Sequence, residues 1–464
     1  MLCQSAMFEA GFCPNPFSDT FTILLRAARN GAITVRVSWI FTVGIIALAL
    51  LPMAFAWPLF ASWPSDAASQ LRTAGKLTAV LGFTLFILAG LLSVRLPVID
   101  RLFGGLTAIW RVHHWLGALA FLLLMVHPLL LAFAAVPNSP ASAAAVLWRP
   151  LDHFSVWAGW LALIAMMVFL APSFAFFGKP DYQRWKLLHA LSAVALLAGW
   201  AHSAMLAHSV PAMFWHGAVT LCVLVMLYRW VFSRWLACRP YRLESVRMIS
   251  HDVAELSLAP QTKPLEYRTG QFVYVRHFNA NAEAFREEHP YTISSSPDDN
   301  VLRLAVKGCG DGSRALVSLS PGDALSIEGP YGEFFPEQRA SKRELWVAGG
   351  IGIAPFLSRL RWLHQQKAQC DIEMIYCIDR PERAHFLAEL QALCEAITGM
   401  SLHVHYFQQQ GPVSADFLQR QCPDISERQV FVCGPPALMK HLRPILRRLG
   451  VRRSQLRSED FNLL

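Results

Sequence analysis

Through residue 236 the chain alternates apolar runs with short connections rich in Pro, Arg and Lys. Each run is long enough to cross hydrocarbon as an α-helix, which takes about 20 residues. Six fall at approximately 36–60, 73–96, 107–135, 153–177, 185–208 and 212–236. From about Tyr241 to Phe335 the period changes to short β-like alternations, such as Gln271–Arg276 and Val301–Lys307, which predict a small antiparallel barrel. Beyond it, Glu344 begins a buried strand that runs into a glycine turn. Further strands at Asp371–Ile378, Leu402–Phe407 and Gln429–Cys433 alternate with helix-like segments, the pattern of a parallel sheet. The expected fold is a multidomain membrane protein: an N-terminal lead (1–35), a six-helix α-helical transmembrane bundle (36–236), an antiparallel β-barrel domain (240–337) and an α/β parallel-sheet domain (342–464).

Composition agrees with this division. Of 464 residues, 54% are hydrophobic, and the mean hydropathy of +0.35 excludes a single soluble domain. The formal net charge of +9 lies in loops suited to an anionic membrane face rather than in a basic stripe interleaved with aromatics, so nucleic acid is not an expected partner. Ten cysteines without a CxxC pair indicate reduced thiols rather than a zinc site or a disulfide scaffold.

Loop charge sets the orientation. With a cytosolic N-terminus, the arginines and lysines from Arg26 to Arg36, Arg95 to Arg111, Lys179 to Lys186 and Arg229 to Arg242 lie inside, leaving Arg72, Lys76 and Arg149 outside. Both termini are then cytosolic, and the expected location is the plasma (cell inner) membrane. Ala54-Phe55-Ala56 is similar to a signal-peptide cleavage site, but the arginine-bearing lead is long and the apolar run exceeds a usual signal core, so the first helix is expected to stay. No EF-hand pattern precedes the helices, and calcium gating is not suggested.

Among the histidines within these apolar runs, four form two spaced pairs: His113 with His127 in the third run and His189 with His202 in the fifth. An imidazole in hydrocarbon requires a partner, and haem iron fits best. The third and fifth helices run in the same direction, so equal depths pair: His113 with His189 near the inner face, His127 with His202 deeper. Separations of 14 and 13 residues give about 21 and 20 Å of rise, room for two haems. Helical phase prefers His113 over His114, since 14 residues return to within roughly 40° of the same face. The same arithmetic leaves roughly 140° between His189 and His202, so their helix must tilt, bend or present its ligands obliquely. His153, His208 and His216 fall at predicted outer helix ends and are candidates for contact with an acceptor or a haem propionate.

Three loops in the second half suit nucleotides. The segment His289-Pro290-Tyr291-Thr292 continues to Ser295 and puts a potential phosphate partner, an aromatic ring and hydroxyls on one edge strand. Tyr291 can cover an isoalloxazine face while Thr292 or Ser295 bonds the ring or phosphate. Lys307 leads into a bend containing Gly310, Gly312 and Ser313 that runs into a helix start, a place for pyrophosphate or simply a Gly-rich hairpin. Gly349, Gly350 and Gly352 form a turn before Pro355 that resembles a dinucleotide-binding turn but lacks the third fingerprint glycine. Arg380 and Arg383, after the next strand, favour NADPH over NADH by offering charge to a 2′-phosphate; Asp379 beside them suits a ribose hydroxyl instead. The last strand ends in Cys433-Gly434-Pro435, where α/β sheets hold ligands, although a buried cysteine is also ordinary core.

Taken together these segments resemble the superfamily of NADPH oxidases and ferric reductases over nearly everything after about residue 36. The resemblance implies FAD, two b-type haems on the four histidines, and NADPH or NADH. It likens His289–Thr292 to the flavin motif, Gly349–Pro355 to the nicotinamide-nucleotide motif and Cys433–Pro435 to the nicotinamide-side motif. It likens Glu459–Leu464 to the terminal acidic and aromatic segment, with Phe461 packing on the flavin and Glu459 and Cys433 beside the reacting ring. The implied activity is electron transfer from cytosolic NAD(P)H through FAD and the haems to O2, giving superoxide. The alternative acceptor is a ferric or other metal chelate. The bilayer is the one macromolecular partner indicated, and protein partners are not.

Overall fold

A computed structural model of the protein describes residues 34–61, 63–173, 182–277, 288–335 and 343–459. The apolar runs fold as helices α1 (Thr34–Phe55), α2 (Ala67–Leu91), α3 (Leu106–Phe133), α4 (Phe154–Leu170), α5 (Tyr182–His189), α6 (Ser192–Leu206) and α7 (Ala212–Leu227). Among the described residues five stretches are long and apolar enough to cross a membrane: Ala67–Leu91, Leu106–Phe133, Phe154–Ser173, Arg184–Leu206 and Ala212–Phe232. Of the six expected, the first corresponds to α1, a helix of 22 residues that contains Pro52. The fifth span consists of two pieces, α5 and α6. At the junction Ala190 N–H and Leu191 N–H donate to carbonyls three residues back, at 3.2 and 3.0 Å. Such bonds wind the chain at about 120° per residue instead of 100°. The local overwinding reduces the phase mismatch between His189 and His202, and the interrupted axis frees α5 from the direction of α6.

The barrel strands are β1 (Cys238–Met248), β2 (Val253–Pro260), β3 (Phe272–His277), β4 (His289–Thr292), β5 (Leu302–Lys307) and β6 (Ala324–Tyr331). They pair in the order β4-β3-β6-β1-β2-β5. The two edges meet through an Ile293–Leu304 bridge and the Ser294 N–H to Arg303 carbonyl bond at 2.8 Å, which closes the sheet. Helix α8 (Asp311–Val317) follows β5. The interior is apolar, with Leu256, Val273, Ile293, Leu304 and Ile327 fully buried.

The last domain is a five-stranded parallel sheet of β7 (Glu344–Gly349), β8 (Ile372–Ile378), β9 (Met400–Tyr406), β10 (Gln429–Cys433) and β11 (Leu456–Glu459), in the order β11-β10-β7-β8-β9. Its helices include α9 (Ala354–Gln365), α10 (Leu387–Ala396) and α11 (Pro436–Arg448). The chain leaves β7 toward β8 on one side and returns to β10 on the other. This reversal creates a crevice at the carboxyl ends of β7 and β10, where open α/β sheets bind ligands.

Apolar contact and charge join the three units. Phe272, Tyr274 and Tyr331 of the barrel share a buried cluster with Leu92, Leu106 and Ile109 at the ends of α2 and α3. Above it, Glu288 receives Arg95 at 2.7 Å, Arg229 at 3.0 Å, and Arg276. Arg95 also lies 4.0 Å over the Tyr274 ring. Between barrel and parallel sheet, Glu255, 3% exposed, accepts from Arg361 at 2.7 Å, Arg247 at 2.6 Å and Ser294 at 2.8 Å. Burial alone would raise this carboxyl, but the bonds and charge of Arg361, then those of Arg247 and Ser294, hold it down at about 2. Because its folded value lies below the ordinary 4.5, its stabilisation is complete above that pH and is lost as pH falls toward 2. Arg361→Met, which strips the main partner from a buried carboxylate, is expected to destabilise the paired barrel and parallel-sheet domains by about 3 kcal/mol. Denaturant unfolding checks this, and the loss should shrink as the pH is lowered below that of ordinary carboxylates.

Candidate functional site

The two histidine pairs expected from depth meet in the structure. His113 and His189 have ring centres 6.3 Å apart, and His127 and His202 have theirs 6.1 Å apart. In three of the four, Nδ1 faces a main-chain carbonyl of another helix: His113 to Ala89 at 2.8 Å, His127 to Gly75 at 2.7 Å and His202 to Ser155 at 2.7 Å. A carbonyl only accepts, so each Nδ1 carries the proton and each Nε2 keeps its lone pair. That is the tautomer of a metal-bound imidazole held by an outer hydrogen bond. A first-row metal at about 2 Å from each of two facing nitrogens sets the ring centres roughly 6 to 6.5 Å apart, so donor set and spacing both fit haem iron. His189 Nδ1 finds no partner among the described residues, and its ring stacks on Trp185 at 4.9 Å. His114 turns away, bonded to the Trp110 carbonyl of its own helix and exposed. Among the described residues no group of three or more His, Cys, Asp or Glu could hold a metal.

The pair farther from the barrel opens into a cavity of about 360 Å3 lined by His127, His202, Leu131, Met166 and, toward its mouth, Lys76 and His208. Gly159 of α4 forms its wall, and a Cβ there would lie 2.6 Å from His202 Nδ1. Of the other histidines at helix ends, His216 accepts from Trp200 Nε1 at 3.0 Å, and His153 precedes α4.

At the crevice of the parallel sheet the glycine turn and the cysteine turn touch. A Cβ on Gly352 would lie 2.5 Å from the Cys433 carbonyl oxygen, and Gly434 packs against Gly349. Gly350 has φ +53, and Pro435 precedes α11. Cys433 is fully buried and stands in register with Ala348 on one side and Glu459 on the other. Tyr376 donates to the Gly350 carbonyl at 3.3 Å and the His385 carbonyl at 3.2 Å, tying the turn to the loop bearing Arg380 and Arg383. Arg380 is exposed, and Arg383 lies 3.7 Å from Asp379.

On the barrel, β4 places Tyr291 opposite Val273 and Thr292 opposite Phe272, with His289 opposite Val275 and Pro290 opposite Tyr274. Tyr291 is buried and its hydroxyl has no partner among the described residues, an orphan suited to a bound group. Ser295, expected to face a ring or phosphate, is placed differently. It is fully buried, its hydroxyl pairs with Tyr267 at 2.7 Å and accepts Arg303 N–H at 2.9 Å, and its carbonyl accepts from Ser358. Closure of the barrel uses its hydroxyl hydrogen and one of its lone pairs. Lys307 lies 3.8 Å from Asp252. Gly310, Gly312 and Ser313 shape the start of α8, where Gly310 N–H donates to the Ser313 hydroxyl at 2.9 Å and that hydroxyl donates back to the Gly310 carbonyl. Phe461 lies outside the described residues.

Sequence reasoning missed Gly159, whose role depends on a neighbouring helix, and the Glu255–Arg361 link, formed by residues 106 apart. It also missed Asp100, a buried acid on the short helix between α2 and α3.

Comparison with known proteins divides the chain in the same way. Residues 78–200 match a ferric reductase like transmembrane component, residues 239–334 an FAD-binding domain and residues 346–443 an oxidoreductase NAD-binding domain. Over 218 residues, 44% of this chain and 58% of the relative, it is 28% identical to the glycine betaine monooxygenase reductase subunit of Chromohalobacter salexigens. Over 191 residues, 40% of this chain and 58% of that protein, it is 31% identical to NADH oxidoreductase HCR of Escherichia coli. The chain thus spans less than two thirds of these relatives. Among solved structures it is similar to the flavohaemoglobin-like FAD/NAD-binding domain of nitric oxide dioxygenase from Vibrio cholerae, with TM-score 0.43, 22% identity, and coverage of 48% of this chain and 98% of that one.

The contact at Gly159 yields a prediction. Gly159→Ala overpacks the wall against His202 by about 1–3 kcal/mol. It is expected to disturb the His127–His202 pair alone, read as a change in the imidazole 15N nuclear magnetic resonance signals of that pair with those of His113 and His189 unchanged.

Proposed function

We propose that this chain, an oxidoreductase with the domain architecture of the ferric reductase and NADPH oxidase superfamily, carries electrons from cytosolic NAD(P)H across the membrane to an acceptor on the outer face. The observation that carries the reading is the pair of histidine pairs, stacked along α3 and facing α5 and α6 at ring separations of 6.3 and 6.1 Å.

Flavin converts the two electrons of a hydride into single electrons, and haem iron carries them one at a time. The chain's own residues provide the arrangement. Gly349, Gly352 and Gly434 let the backbone approach a dinucleotide at the crevice, and Arg380 and Arg383 offer charge to a 2′-phosphate, which favours NADPH. Cys433 and Glu459, side by side on β10 and β11, flank the nicotinamide position. Tyr291 and Thr292 present a ring and a hydroxyl to the flavin. The strand paired with them, β3, places Phe272 and Tyr274 against Ile109 of α3. Ile109 lies four residues, or about 6 Å of helix rise, from His113. His113 with His189 binds the inner haem and His127 with His202 the outer one. The Ala89, Gly75 and Ser155 carbonyls hold the imidazoles in their metal-binding tautomer.

The acceptor in the first reading is O2, reduced by one electron to superoxide at the outer haem, whose seat between His127 and His202 is a mostly apolar cavity that a small diffusible molecule can enter. A ferric chelate is the second reading, favoured by Lys76 and His208 at the same cavity, which suit an anionic complex.

The test is NADPH-driven reduction of cytochrome c by the haem-loaded protein, with and without superoxide dismutase, beside ferric-chelate reduction without oxygen. Strong inhibition by the dismutase with slow iron reduction is expected. Fast anaerobic iron reduction with little superoxide selects the chelate reductase, and failure of both removes the reading. His202→Ala is expected to lose one haem of two and reduce outward transfer to background while NADPH still bleaches the flavin; retention of both haems contradicts the ligand assignment.

A further inference from the structure

Asp100 is fully buried on the short helix Pro97–Phe103, where the membrane helices meet the barrel. Its Oδ2 accepts the Gly332 N–H at 3.0 Å, across the boundary between the two units. Its Oδ1 meets no donor among the described residues. Two further acids converge on the same glycine. Glu333 is its neighbour in sequence and pairs with Arg268 through Oε1, leaving Oε2 without a donor among the described residues. Glu459, from the end of β11, brings Oε1 to 3.2 Å from where a Gly332 Cβ would lie, and its Oε2 also lacks a donor among the described residues. Three carboxyl groups from the membrane domain, the barrel and the parallel sheet therefore meet around one residue, each with an unsatisfied buried oxygen.

Three buried anions at such a point would cost several kcal/mol apiece. A proton removes one charge and turns an acceptor into a donor for its neighbour. Arg268 is engaged with Glu333, and the other cations facing the group are Arg101 near Asp100 and Arg457 near Glu333.

We propose that Asp100, Glu333 and Glu459 form a single proton-binding site, assembled only when the barrel is seated on the membrane helices, with Asp100 the residue that positions the site against Gly332. The inference rests on the proposed function, which puts Glu459 beside the nicotinamide. Burial, together with the charge of Glu333, pushes Asp100 up to about 7 against the pull of the Gly332 N–H and Arg101. Burial, then the charges of Asp100 and Glu333, pushes Glu459 up to about 8. Burial likewise raises Glu333, opposed by Arg268. At neutral pH the site both holds and exchanges protons.

Oxidation of one NAD(P)H gives NAD(P)+, two electrons and one proton. The electrons leave through the helices to the outer acceptor, and the proton remains on the barrel side. The ionised fraction of Glu459 receives it, and the site returns it to water. Seating the barrel raises these affinities above the ordinary 3.8 and 4.5, so their contribution to the seated state is complete only below those values, declines as pH rises above them and is fully lost above about 8.

The test uses the full-length protein in detergent and follows the infrared carbonyl stretch of protonated carboxyl groups from about pH 6 to about pH 9. The wild-type protein is expected to keep such a band at neutral pH and lose it as pH rises through the range around 7 to 8. Asp100→Asn retains an acceptor for the Gly332 N–H; it should lose part of the band and move the remaining midpoint down by roughly one pH unit. Glu459→Gln should remove the higher step. An unchanged midpoint in Asp100→Asn, or no band at neutral pH in the wild type, overturns the proposal. If Asp100→Asn does not fold, the wild-type band and the Glu459→Gln difference decide it. None of these readouts requires electron transfer, so failure of the cytochrome c and ferric-chelate assays would remove the proposed function while leaving the titration intact.

Discussion

An imidazole placed among apolar helices must satisfy two nitrogens, and the membrane half is organised around how it does so. His113 and His127 each donate Nδ1–H to a carbonyl of α2, and His202 does the same to the Ser155 carbonyl of α4. These bonds fix the tautomer, fix each ring against rotation and join helices distant in sequence. They leave the other nitrogen as a lone pair directed at the facing imidazole. Removing a carbonyl from reach would cost both a buried hydrogen bond and the orientation of a ligand. Close helix contact supports the geometry: at Gly159 even one additional carbon would meet the His202 ring.

The reductase half depends on the same economy of buried polar groups. Its barrel closes with Ser295 bonded on every side, and its contact with the parallel sheet is held by Glu255 and Arg361. Its contact with the membrane helices combines aromatic packing of Phe272, Tyr274 and Tyr331 with the charge knot at Glu288. The third contact, at Asp100, brings three acids together against Arg268, Arg101 and Arg457. Two junctions are satisfied by ion pairs, while at the third, beside β11, each acid keeps a buried oxygen with no donor among the described residues.

Much of this was legible in the sequence because it rests on periodicity. Apolar length marked the spans, alternation marked the barrel, and the spacing of four histidines along two parallel helices paired them by depth. Gly349–Gly352 and Cys433–Gly434 were visible as turns after strands, and their meeting follows from the reversal of strand order at β7. What was not legible depends on contacts between distant residues. A straight α-helix puts His189 and His202 roughly 140° apart, and only the break between α5 and α6 resolves that conflict. Ser295 carries the same hydroxyl whether it faces a ligand or a barrel seam. Asp100 reads as an ordinary loop acid until Gly332 and Glu459 are placed against it.

The central claim is that electrons traverse the bilayer through the two histidine pairs, and its most direct test is vectorial. The haem- and flavin-loaded protein would be reconstituted into sealed liposomes with ferricyanide trapped inside, and NADPH added outside, where it reaches only molecules whose reductase half faces out. The account predicts that the trapped ferricyanide is reduced, with two equivalents consumed per NADPH, and that the reduction requires both haems. Reduction of an acceptor added outside, with the trapped ferricyanide untouched, would contradict it and confine the electron path to the reductase half.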